Sequence, residues 1–95
     1  MEKIKINVTS KDFFHLEGLN RKFTHIARDE DGTLNVFERS PSKGKGIWSV
    51  FWDYESRRIH PGFLSDIRWE NGRSYTLDEI KRMYREGEKA NVTNR

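Results

Sequence analysis

Lys22-Phe23-Thr24-His25-Ile26-Ala27-Arg28-Asp29-Glu30-Asp31-Gly32-Thr33-Leu34-Asn35-Val36-Phe37-Glu38-Arg39 is the stretch that decides the fold class. Two β-prone runs flank a short acidic connection, and its closing Gly32 supplies the left-handed residue of a bulged turn. The stretch predicts a β-hairpin. The acidic connection lacks the further oxygen ligands of a calcium loop, so it reads as a solvated turn.

Upstream, Ile4, Ile6 and Val8 alternate with Lys3, Lys5 and Asn7, the pattern of a strand with one buried and one wet face. Thr9 or Ser10 then caps a short helical turn over Lys11 to Leu16, or the same residues form an irregular loop; Gly18 ends the run. Downstream, the Ser40–Gly46 loop holds Gly, Ser, Pro and Lys without an apolar anchor, which predicts a mobile segment. It feeds the alternating run Ile47-Trp48-Ser49-Val50-Phe51-Trp52-Asp53-Tyr54, read as a strand with Trp48, Val50, Trp52 and Tyr54 on one face. That aromatic face suits either a small core or a binding platform.

Glu55-Ser56-Arg57-Arg58 reads as a turn, Pro61-Gly62 as a further break, and Asn71-Gly72 as the two-residue turn of a second hairpin. Thr76-Leu77-Asp78-Glu79 matches a capping box, and Leu77, Ile80, Met83 and Tyr84 recur at helical spacing behind it. Gly87 is the expected end of that helix. The elements predict an α+β fold. One small domain over residues 1–87 carries a twisted antiparallel sheet of four to six strands, with the C-terminal helix packed on one face. Residues 88–95, nearly without apolar content, are expected to form a flexible C-terminal tail.

Composition narrows the function. Ninety-five residues make one domain with a modest core, and with 34% hydrophobic but 13% aromatic residues much of that core must come from a few rings. Eighteen basic and fifteen acidic residues alternate along the chain, giving a net charge of +3 that permits an anionic partner without demanding one. The absence of cysteine excludes a disulfide framework, a Cys-ligated zinc site and thiol catalysis. His15, His25 and His60 lack zinc-motif spacing, no nucleophile elbow or phosphate-binding glycine pattern occurs, and no run is long enough to span a membrane. The expectation is a cytoplasmic, non-catalytic protein without metal or cofactor.

Two candidate contact surfaces remain. Lys43, Lys45, Trp48 and Trp52 interleave cations with rings, which suits a single-stranded DNA or RNA binder that stacks bases on Trp48 or Trp52 and contacts phosphates through Lys43, Lys45, Arg57 and Arg58. Lys43-Gly44-Lys45-Gly46-Ile47-Trp48 is loosely similar to the ribonucleoprotein motif, but Lys45 and Ile47 stand where rings belong. Arg57, Arg58, His60 and Phe63 form the second candidate, because aromatic and guanidinium groups are enriched at protein interfaces.

In size, charge, aromatic content and the Tyr75–Ile80 helix start, the chain resembles small uncharacterised proteins encoded in phage and prophage genomes of Gram-positive bacteria. The likeness is one of style and gives no residue a role. It implies a protein of the bacterial host cytoplasm that binds a host protein or nucleoprotein complex, as inhibitors of CRISPR nucleases (anti-CRISPR proteins) and of replication factors do. Many such inhibitors imitate DNA with acidic surfaces, which the basic balance of this chain does not favour.

Overall fold

The computed structural model describes the backbone of residues 6–93 and the side chains of residues 6–87. Helix α1 spans Ser10–Glu17 and starts at a capping box: Thr9 Oγ1 accepts from the Asp12 amide, and Asp12 Oδ2 accepts from the Thr9 amide, both at 3.0 Å. The expected hairpin follows as β1 (His25–Arg28) and β2 (Leu34–Phe37), paired antiparallel from His25↔Phe37 to Arg28↔Leu34. Gly32 takes a φ of 95° in the connection, which a side chain would resist.

Strands β3 (Ser42–Lys43) and β4 (Trp48–Ser49) form a separate two-stranded sheet. Strands β5 (Ser56–Ile59) and β6 (Tyr75–Thr76) flank the hairpin, giving a four-stranded antiparallel sheet in the order β5-β2-β1-β6. Helix α2, Leu77–Thr93, leaves β6 directly. Its capping box is the one the sequence predicts, with Thr76 Oγ1 accepting from the Glu79 amide and Glu79 Oε1 from the Thr76 amide. The fold is α+β in a single domain. Among the described residues, no helix is long and apolar enough to cross a membrane.

Both faces of the sheet are covered. On one, Ile26, Leu34, Val36, Ile59 and Tyr75 meet Leu16 of α1 and Leu77 and Ile80 of α2. Phe13 stacks on Tyr84 at 4.5 Å, and Lys81 pairs with Glu17, so the helices are joined as well as packed. On the other face, Ala27 and Phe37 lie under Trp48, whose ring meets Trp69 edge-on at 6.2 Å.

The long connection from β5 to β6 is held chiefly by one side chain. Arg28 directs its five N–H groups at five backbone carbonyls: Nε to Ile67, Nη1 to Gly32 and Pro61, Nη2 to Phe63 and Leu64, all between 2.6 and 3.1 Å. Leu64 adopts a φ of 52°, which costs a branched residue roughly 1–2 kcal/mol. Burial of its side chain to 1% exposure offsets that, together with the Arg28 bond to its carbonyl and the Asp12 Oδ1 bond to its amide.

Several expectations need correction. The predicted first strand falls partly on residues 1–5, outside those described; residues 6–9 join no ladder, although Ile6 is buried and the Asn7 amide donates to Asp66 Oδ2. The aromatic strand Ile47–Tyr54 shrinks to Trp48–Ser49, because the two-residue β3 offers no longer partner and the Tyr54 amide turns back to the Phe51 carbonyl. The Ser40–Gly46 loop packs into the fold: Pro41 is buried, Ser42 and Lys43 pair with β4, and the Gly46 carbonyl accepts from the Glu30 amide.

Residues 56–58, read as a turn, belong to the edge strand β5, where solvated arginines are favourable because they discourage further pairing. The Asn71-Gly72 hairpin is absent. Trp69–Asn71 is a turn of 3₁₀ helix ended by left-handed Gly72, and the Asn71 amide group is held by the Asp66 carbonyl and the Tyr75 hydroxyl. Helix α2 continues past Gly87, which keeps a negative φ; about 1 kcal/mol of lost propensity does not end it.

Two stability measurements check this account. Arg28→Lys, which keeps the charge but loses the planar fork, should cost roughly 2–3 kcal/mol in denaturant unfolding; a loss under about 0.5 kcal/mol would show that the connection holds itself. Ile80→Ala removes a fully buried side chain from the helix–sheet contact and should cost roughly 2–5 kcal/mol in the same assay.

Candidate functional site

Beyond β4 the chain leaves the small sheet, and the hydrogen bond from the Tyr54 amide to the Phe51 carbonyl closes a turn. A ladder would have given Phe51 and Trp52 opposite faces; the turn exposes both, Phe51 to 78% and Trp52 to 94%. Exposed apolar rings are common one at a time, but two adjacent ones on a closed turn form a patch.

A cleft of about 680 Å³ opens beside the turn, with Thr24, His25, Glu38, Arg39, Phe51 and Tyr54 among its walls. The Arg39 guanidinium lies 4.7 Å from the centre of the Tyr54 ring. The Glu38 amide donates to the Glu55 carbonyl and the Glu55 amide to Glu38 Oε1, and these two bonds anchor the far end of the turn to the sheet. The rings are therefore presented on a braced scaffold.

At the cleft's inner edge, the Thr24 hydroxyl donates to the Glu38 carbonyl and lies 2.7 Å from His25 Nδ1. Burial holds the His25 pKa below its ordinary 6.5, and the Glu79 carboxylate opposes this only in part. Nearby, the hydrogen bond from Lys22 holds the Glu55 carboxyl below the usual range, with the charges of Lys22 and Arg57 adding to it.

The residues singled out from the sequence do not converge. Lys43 and Trp48 do come together: the Lys43 ammonium lies 4.1 Å from the Trp69 ring and 5.8 Å from Trp48. Trp48 is only 8% exposed, however, so it cannot share a stacking platform with Trp52, and that arrangement is withdrawn. Lys45 is exposed beside them. Arg57 and Arg58, adjacent on β5, point to opposite faces; Arg57 is drawn to Glu55 and to the Phe23 ring. His60 is exposed and accepts from the Gly62 amide, while Phe63 is half-buried and stacks on His15 at 4.1 Å.

Phe51, Arg39 and His25 belong to the candidate site without being singled out by the sequence as binding residues, whereas Tyr54 stands on the predicted aromatic face. The available signal was Phe51-Trp52 followed at once by Asp53, an apolar pair without room to bury both members. Comparison with protein-family models, curated proteins and solved structures finds no match to this chain. Among the described residues, no group of three histidines or carboxylates could hold a metal ion.

The depressed His25 pKa has a signed consequence. Above about pH 6.5 the imidazole is neutral in both folded and unfolded chains, and its contribution to stability is complete; as pH falls, the unfolded chain protonates first and that contribution is lost. Thermal unfolding followed from pH 7.5 to about 5 should therefore fall less steeply in His25→Gln than in the parent. Parallel profiles would remove His25 as the titrating group.

Proposed function

We propose that this chain is a non-catalytic binding protein that attaches to a host protein or nucleoprotein complex through the Phe51–Trp52 turn. The observation that carries the reading is the near-complete exposure of Trp52 and Phe51 on a turn braced to the sheet, with Arg39 and Tyr54 beside them. Trp, Tyr and Arg are the residue types that dominate binding energy at interfaces. A ring that buries on the order of 150–250 Å² against a partner gains several kcal/mol of hydrophobic free energy. Because the turn is closed by its own hydrogen bond, less of that gain is lost to ordering on contact.

The cleft behind the rings suits the same role. Its polar groups sit where a partner's side chain entering past Phe51 would meet hydroxyls, an imidazole and a guanidinium. The likeness of style to small phage and prophage proteins directs the choice of partner to bacterial host proteins and makes inhibition, of a CRISPR nuclease for example, the proposed outcome.

The test is a quantitative comparison of host proteins retained by the parent and by Phe51→Ala/Trp52→Ala, followed by affinity measurement on the purified partner. Both side chains are exposed, so the unfolding midpoint should move little, while affinity should fall by about thirtyfold or more. A partner retained equally by both proteins would overturn the assignment to this turn.

A further inference from the structure

A second cleft lies on the helical side of the molecule, between the end of α1 and the first turns of α2, with a volume of about 760 Å³. Arg21, Lys81, Arg82 and Arg85 line it. Lys81, Arg82 and Arg85 follow one another along α2, and Arg21 faces them from the connection after α1. Lys81 is paired at 2.9 Å with Glu17 and Arg85 leans on the Phe13 ring, whereas Arg21 and Arg82 are exposed and make no ion pair among the described residues.

Glu17 shows what the cleft attracts. Its carboxyl is held below the ordinary range by the Lys81 hydrogen bond and charge, with Arg85 and Arg21 adding to the effect. The lining thus sets four cations, Arg21, Lys81, Arg82 and Arg85, against two carboxylates, Glu17 and Asp78, and stays net positive. Of the apolar residues in the lining, Leu16, Phe23 and Leu77 are at most 5% exposed and Leu19 is half-buried, so the cleft offers mainly charge and hydrogen bonds. A peptide partner would need apolar pockets for specificity, whereas a phosphodiester chain needs only planar cationic forks, which guanidinium groups supply in bidentate geometry.

We infer that this cleft holds the phosphate backbone of a nucleic-acid strand, with Arg21, Arg82 and Arg85 each contacting a phosphate. The site is independent of the Phe51–Trp52 turn, although the two clefts adjoin through Thr24 and His25, which line both. A complex presenting both protein and nucleic acid could engage the two surfaces together.

The experiment is a salt titration of binding to a short fluorescent single-stranded DNA. Three phosphate contacts predict a slope of about −2 in log K against log salt. Arg21→Ala/Arg82→Ala should reduce it to about −0.7 and weaken binding about tenfold at low salt, with an unchanged unfolding midpoint. Lys45→Ala/Arg58→Ala removes the same charge outside this cleft and should leave slope and affinity near the parent's, as should Phe51→Ala/Trp52→Ala. Failure of the parent to bind at low salt, equal weakening by both charge-removing pairs, or equal binding of polyglutamate would each overturn the inference.

Discussion

The fan of hydrogen bonds from Arg28 is the constraint on which the rest of the molecule depends. Five carbonyls from residues 32, 61, 63, 64 and 67 converge on one guanidinium, and no other side chain has enough donors in one plane to satisfy them. Burial lowers the Arg28 pKa from its ordinary value, the direction expected for a cation drawn from water, but the carbonyl dipoles replace the lost solvent. This clamp ties the connection between β5 and β6 to the end of β1. Leu64 and Ile67 can then enter the main core, and the Leu64 amide comes within reach of Asp12 on α1.

From that clamp follows the way the two faces of the sheet are used. The helices and much of the clamped connection cover one face, leaving the opposite side of β1 and β2 to a two-stranded hairpin that contributes Trp48, with Trp69 of the connection packed against it. So small a cover cannot reach the end of the sheet near Thr24 and Glu38. The chain that continues from β4 therefore turns in solvent before rejoining as β5, and that detour creates both the first cleft and the exposed rings. The candidate surface is a consequence of how little of the chain is left to cover the second face.

Charge is distributed on the same plan. Away from the α1–α2 cleft several cations are occupied, Lys43 by two indole rings, Arg57 by Glu55 and Phe23, and Arg28 by backbone. On the helical side, the cations of α2 outnumber the acids that could neutralise them across the cleft. A modest net charge thus conceals a local excess, which is why the overall balance says little about where an anion would bind.

Local chemistry determined much of the fold from sequence alone. The hairpin connection closed at Gly32, the Thr9 cap, and the capping box formed by Thr76 and Glu79 lie within three or four residues of their partners, so each is legible in a short window, although Asp29, read as part of a solvated turn, is buried and accepts from the distant Trp48 amide. The α+β class follows from those elements. Tertiary structure decided whatever depended on a distant partner. Trp48 and Trp52 have the same local pattern, yet one is buried beneath Trp69, twenty-one positions away, and the other is fully in water. Arg57 and Arg58 look like turn residues until β2 supplies a ladder, and Asn71-Gly72 looks like a hairpin until Asp66 and Tyr75 capture the asparagine. The basic cleft needed α1 and α2 to be brought side by side. Alternation and composition record what a residue can tolerate; burial depends on which surface arrives to cover it, and that is settled only when the chain closes on Arg28.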